Sequence, residues 1–216
     1  MIKKNLQDRL ITSILLFVIL FLVINNSFFL VFGLLIFGVI SLLEFFAISK
    51  KIFKKLIYNI ISNFVFISYV FTFCILFFIF SNFLQLKIIL FTLILSCIAS
   101  DIGGFIFGKI FKGPKLTSIS PNKTVSGSIG SFFITAIVFS SIIYYLKSDF
   151  SYTLLIISFF TSLSCQIGDL FFSLLKRKAN IKDTGKIFPG HGGVLDRLDS
   201  IYFGIPVGFI SFIYFY

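Results

Sequence analysis

The residues able to do chemistry crowd into one short stretch near the end of the chain. FPGHGGVLDRLD, residues 188–199, contains the only histidine, His191, together with Asp196 and Asp199, two of the eight acids, and three glycines. Asp196 and Asp199 stand three residues apart, so both lie on one side of any helix that they begin. Carboxylates that close repel unless a cation sits between them. Hard oxygen ligands suit Mg²⁺, which binds one or two carboxylates together with substrate phosphates. The alternative is an acidic helix start favoured by the helix dipole. In the glycine turn the N–H groups of Gly192 and Gly193 can approach a phosphate, as in other anion-binding nests, although turn chemistry alone also selects Pro and Gly. His191 can contact a phosphate, act as an acid, or fix the turn by a hydrogen bond. One histidine and three cysteines inside apolar runs form no zinc ligand set.

Further candidates lie upstream. Asp101, in CIASDIGGFIFGK, and Asp169, in CQIGDLFFSLLKR, put carboxylates inside apolar runs, where acids are costly and face a cavity or a partner. Gly103, Gly104 and Gly168 let neighbouring helices approach closely. The expectation is that the helices bearing Asp101 and Asp169 meet there and that both acids line one polar cavity. Asp169 is expected within one metal's span of Asp196 or Asp199, and Asp101 is expected to orient substrate. Asp169, Ser173 and Lys176 fall at i, i+4 and i+7, on one helix face. In ISPNKT, Ser120, Lys123 and Thr124 offer hydroxyls and a point charge to a phosphate, or form a solvated cap. Glu44, in SLLEFFA, reads as a partner for the lysines of KKIFKK, residues 50–55. Neither a Walker motif, a GxSxG elbow nor a dinucleotide fingerprint occurs.

The elements that position these residues are membrane helices. The chain is 58% hydrophobic and its mean hydropathy is +1.08, which excludes an ordinary soluble domain. A membrane helix needs ~20 apolar residues, and apolar runs in lipid become helices because each backbone polar group must be satisfied internally. Polar breaks bracket seven spans: Leu10–Ile24, Ser27–Ile48, Ile57–Phe80, Leu86–Phe107, Gly127–Leu146, Ser151–Leu175 and Ile201–Tyr216. The fold class is therefore an all-α polytopic membrane protein. One helical domain, 1–216, is expected, with N-terminal helices over 1–99, the motifs over 100–199 and a last helix over 200–216. The start, MIKKNLQDRLITSILLF, is basic like a signal peptide, but no small-residue cleavage site follows, so it is expected to stay as the first span. With the N-terminus inside, 17 of the 19 Lys and Arg fall in cytoplasmic segments and only Lys87 and Lys147 outside, as the positive-inside rule favours. Both long polar loops are then cytoplasmic, and the net charge of +11 faces anionic headgroups and metabolites. No nucleic-acid reading module accompanies it. Cys74, Cys97 and Cys165 read as small buried hydrophobes in a reducing compartment.

The stretch SLLKRKANIKDTGKIFPGHGGVLDRLD, Ser173–Asp199, resembles the signature of the phosphatidate cytidylyltransferase (CDP-diacylglycerol synthase) family. Its positions are filled by Ser173, Lys176, Arg177, Lys182, Asp183, Gly185, Phe188, Pro189, His191, Gly192, Gly193, Asp196, Arg197 and Asp199. SDIGGFIFGKIFKG and ISPNKTVSG resemble the upstream motifs. Gly104-Phe105 stand where Ala-Tyr is common, Lys109 where Arg is common, and Ser126 where Glu or Gln is common. The chain is shorter than typical members, chiefly in its N-terminal half, and the resemblance covers Ser100–Asp199.

The resemblance implies that CTP and phosphatidic acid give CDP-diacylglycerol and pyrophosphate at the cytoplasmic face of the inner (plasma) membrane. It implies Mg²⁺, with room for a second cation, on Asp169, Asp196 and Asp199. Lys176, Arg177, Lys182 and Arg197 would offset phosphate charge, with Asp183 and His191 in the same machinery. A homodimer is left open. The rival readings are a CTP-dependent polyprenol kinase, which transfers the γ-phosphate, and a transporter with Asp101 and Asp169 lining a path.

Overall fold

The computed structural model describes residues 18, 26–148, 150–185, 187 and 192–216. Six long helices form among them: α1 (Ser27–Ile52), α2 (Leu56–Ser81), α3 (Leu84–Phe111), α4 (Val125–Lys147), α5 (Thr153–Lys178) and α6 (Leu195–Phe215). All six are long and apolar enough to cross a membrane, so the chain is an all-α polytopic membrane protein. The expected first span, Leu10–Ile24, lies outside the described residues save Val18.

Helix ends run past the expected spans where polar residues suit a terminus. α1 continues through Lys50 and Lys51, and α3 through Lys109, cations that favour a helix C-terminus and keep their charged heads at the interface. α6 starts at Leu195, six residues before the expected Ile201, and takes Asp196 and Asp199 into its first turns. Acidic side chains are stabilised there by the dipole, although hydropathy counts them as loop. Asn26 caps α1 by accepting from the Phe28 N–H at 2.9 Å.

The chain divides into two compact units. Among the described residues the first comprises those up to 83 and those within 175–198, the second those within 84–174 and 199–216. In the first, α1 packs on α2 through the stacked rings of Phe45 and Phe66, 3.9 Å between centroids. The Ser49 hydroxyl donates to Asn59 Oδ1 at 3.1 Å.

In the second unit, α3 and α4 meet along a seam of small residues. A Cβ on Gly103 would lie 2.7 Å from the Gly130 carbonyl, and one on Gly104 would lie 2.8 Å from Ser131 Oγ. The Ser131 hydroxyl donates to the Ser100 carbonyl at 2.8 Å. Gly168 of α5 instead lies against α6, at the Asp199 carbonyl and Phe203. The expectation that these glycines join the helices of Asp101 and Asp169 is therefore corrected: the α3 glycines admit α4, and the α5 glycine admits α6. α3 meets α5 through the Ser100 and Ser162 hydroxyls, 2.9 Å apart. Cys97 and Cys165 are buried and free, packed where Gly204 makes room for both sulfurs.

Candidate functional site

In the first unit the chemistry gathers around the loop between α5 and α6. Lys176, in the last turn of α5, places Nζ 2.7 Å from Asp196 Oδ1, and both side chains are largely buried. The other oxygen, Oδ2, accepts from the Thr184 N–H at 2.8 Å, the Thr184 hydroxyl at 3.0 Å and the Gly193 N–H at 3.0 Å. Gly192 has φ of +86° and lies against that same carboxylate; the left-handed backbone there favours glycine. The glycine turn thus wraps the Asp196 carboxylate, and the Gly193 N–H, expected to meet a phosphate, is committed to it.

Glu44 reaches the same loop from α1. Its side chain is buried and accepts from the Val194 N–H at 3.0 Å and the Leu195 N–H at 2.9 Å. The Thr184 hydroxyl also lies 2.7 Å from Glu44 Oε2. Glu44 therefore caps the start of α6, whose first N–H groups have no intrahelical acceptor; the expected partnership with Lys50–Lys55 is corrected. Gly185 and Gly193 pass so close to the Glu44 carboxylate that a Cβ on either would collide with it. Around this core Arg177, Lys182, Asp183 and Arg197 are exposed. His191 lies outside the described residues.

In the second unit the acids take different partners. Lys123 forms an ion pair with Asp169, and both are partly exposed. The Ser173 hydroxyl donates to Asp169 Oδ1 at 3.3 Å, as their shared helix face requires. Ser200 links two acids: its hydroxyl donates to Asp101 Oδ2 at 2.9 Å and its N–H to Asp199 Oδ1 at 2.9 Å. Asp199 is buried, whereas Asp101 is exposed.

The ISPNKT loop is held by its own backbone. The Leu116 N–H donates to the Lys123 carbonyl at 2.8 Å, and the Lys123 N–H to the Ser120 carbonyl at 3.1 Å. Thr124 caps α4, its hydroxyl oxygen accepting from the Gly127 N–H at 3.1 Å. The hydroxyl hydrogen of Thr124 remains able to donate. Ser120 is half-buried in the turn that presents Lys123.

Sequence reasoning missed Glu44, Thr184 and Ser200 as members of these clusters. Glu44 carried a signal, an acid inside an apolar run, but its partners lie 140–151 residues away. Thr184 and Ser200 are ordinary polar residues without a distinguishing pattern.

Among the described residues no three His, Cys, Asp or Glu side chains converge as a ligand group. Both oxygens of Asp196 accept hydrogen bonds within the first unit, as both oxygens of Asp169 are engaged by Lys123 and Ser173 in the second. Asp169 and Asp199 are hard oxygen donors of the same kind. They flank the point where Gly168 seats α5 against the Asp199 carbonyl, and two carboxylates are what Mg²⁺ takes beside substrate phosphates.

Long apolar helices that carry acids within them and are joined by basic loops define a polytopic membrane protein. Residues 1–215 match the cytidylyltransferase family, and the chain belongs to it. The chain is similar to a phosphatidate cytidylyltransferase of Helicobacter pylori, 42% identical over 123 residues that cover 57% of this chain and 46% of the relative. It is also similar to phosphatidate cytidylyltransferases of Staphylococcus aureus (strain COL), 42% identical over 110 residues, 50% of this chain and 42% of the relative, and of Staphylococcus saprophyticus, 43% identical over 112 residues, 50% and 42%. The chain thus spans less than half the length of these relatives.

Proposed function

We propose that this chain transfers a cytidylyl group from CTP to phosphatidic acid, giving CDP-diacylglycerol and pyrophosphate. The observation that carries the proposal is the complete Ser173–Asp199 signature in a chain of the cytidylyltransferase family. An oxygen of the phosphatidic acid phosphate forms the new bond to the α-phosphorus of CTP, and the bond to the β-phosphate breaks. That phosphate is already largely ionised near pH 7, its second pKa being about 6, so no strong general base is needed. The protein's task is positioning and charge neutralisation.

Exposed Arg177, Lys182 and Arg197 are proposed to neutralise substrate phosphates and departing pyrophosphate. Lys176, held by Asp196, sets the electrostatics beside them, and Asp183 and His191 belong to the same loop. Lys123 and Ser120 present the second basic loop to CTP, with Asp101 orienting substrate. Mg²⁺, proposed on Asp169, Asp196 and Asp199, would neutralise phosphate charge during transfer; a second cation belongs to the same proposal. The reaction is placed at the cytoplasmic face of the inner membrane, with the N-terminus inside, because that orientation puts 17 of the 19 basic residues in the cytoplasm. Partners are CTP, phosphatidic acid and membrane lipid; nucleic acid is not among them, and a homodimer is part of the proposal. Incubation of the purified protein with CTP, Mg²⁺ and phosphatidic acid tests the reading: CDP-diacylglycerol should accumulate with pyrophosphate, and no cytidylylated lipid would reject it.

A further inference from the structure

We infer that Glu44 is a positioning residue that sets the glycine turn and the start of α6 for CTP binding. The inference rests on the cytidylyl-transfer reading only for its kinetic readout. Glu44 lies in an apolar stretch about two turns before the C-terminal end of α1, where a carboxylate is costly without compensation, and it is buried. Its two oxygens divide the work. Oε1 accepts from the Val194 N–H and Oε2 from the Leu195 N–H, so one side chain satisfies two of the orphan donors at the start of a helix. Those two residues immediately precede Asp196, the acid that the turn wraps.

A second connection runs through Thr184. Its hydroxyl lies 2.7 Å from Glu44 Oε2 and 3.0 Å from Asp196 Oδ2, while its N–H holds Asp196. A hydroxyl has one hydrogen to donate, so Thr184 is shared between the two acids and ties their positions together. Gly185 and Gly193 approach Glu44 from either side of the loop, where any Cβ would meet its carboxylate. A buried acid on α1 thus fixes the loop at Thr184, Gly185, Gly193 and the first residues of α6 at once. Charge alone would not require this arrangement; two acceptor oxygens in one plane do.

That distinction gives the test. Glu44→Gln keeps the size but replaces one acceptor by an NH₂ donor, which would face a backbone N–H. Glu44→Asp keeps both acceptors on a shorter arm. Hydrogen exchange of the segment containing Val194 and Leu195, followed by mass spectrometry on the full chain in lipid nanodiscs, reads the grip directly. In Glu44→Gln the two amides should exchange roughly tenfold faster or more, as loss of hydrogen bonds to a charged group implies, and KM for CTP should rise about tenfold with KM for phosphatidic acid unchanged. Glu44→Asp should recover part of both. A partly unfolded preparation would lower the apparent kcat without this selective change in KM. Unchanged exchange in Glu44→Gln would overturn the inference whatever the activity, and faster exchange with unchanged KM for CTP would overturn its kinetic half. A wild-type protein that does not use CTP would reject the proposed reaction, while the exchange result would still decide whether Glu44 holds the loop.

Discussion

Lys176 and Asp196 close the α5–α6 loop at its two ends, with Nζ and Oδ1 2.7 Å apart. Breaking a largely buried ion pair by removing one partner costs about 3–5 kcal/mol, because the other charge is left uncompensated. Lys176→Met and Asp196→Asn should each lower thermal stability and abolish most CTP turnover. The double variant should be less destabilised than the sum of the singles, by about 1 kcal/mol or more. Additive losses in thermal unfolding would show that the two residues act separately.

The Lys123–Asp169 pair is partly exposed, and exposed pairs contribute only about 0–1 kcal/mol. Lys123→Ala and Asp169→Asn should therefore leave the melting temperature nearly unchanged while reducing kcat/KM for CTP about tenfold or more. Lys123→Arg should retain part of the activity. Activity within twofold of wild type in Lys123→Ala would leave that lysine a surface charge.

Two glycines provide a matched steric comparison. A Cβ on Gly193 would lie well inside contact distance of Thr184 and Glu44, whereas one on Gly38 would meet Cys74 Sγ at an ordinary 3.5 Å. Gly193→Ala should abolish turnover and accelerate amide exchange in the loop. Gly38→Ala should be tolerated, with a melting temperature within a few degrees of wild type. Equal tolerance at both positions would contradict the close packing of the loop on Glu44.

Removal of divalent cations by a chelator should stop turnover, and added Mg²⁺ should restore it. Asp199→Asn and Asp169→Asn should each shift the Mg²⁺ dependence to higher concentration, measured as the half-saturating Mg²⁺ for product formation. An unshifted dependence in both variants would place the metal elsewhere.

Much of the helical architecture was legible because lipid-spanning segments are selected by length and apolarity alone. Hydropathy marked the helices from α1 to α5 closely. It failed at the start of α6, since Asp196 and Asp199 are polar in composition yet well placed in the first turns of a helix. The chemical residues were legible as types. Their partners were not, because pairing across distant segments leaves no periodic trace. Glu44 meets Val194 and Leu195 150 and 151 positions away, and Lys123 meets Asp169 rather than standing alone. The glycines showed the same limit: sequence identified close approach at Gly103, Gly104 and Gly168 but not which helix each one admits. Thr124 was legible as a hydroxyl beside Lys123, but its capping of α4 showed only in the local backbone.

In the proposed reaction the α-phosphate of CTP, with its cytidine, joins the lipid. This transfer is tested most directly by giving the purified protein phosphatidic acid and Mg²⁺ with CTP labelled in parallel on the α- or the γ-phosphate, then extracting the lipid. The α-label should enter the lipid fraction as CDP-diacylglycerol, and the γ-label should leave as water-soluble pyrophosphate. γ-Label in the lipid with CDP released, as a kinase would give, or CTP left intact would contradict it.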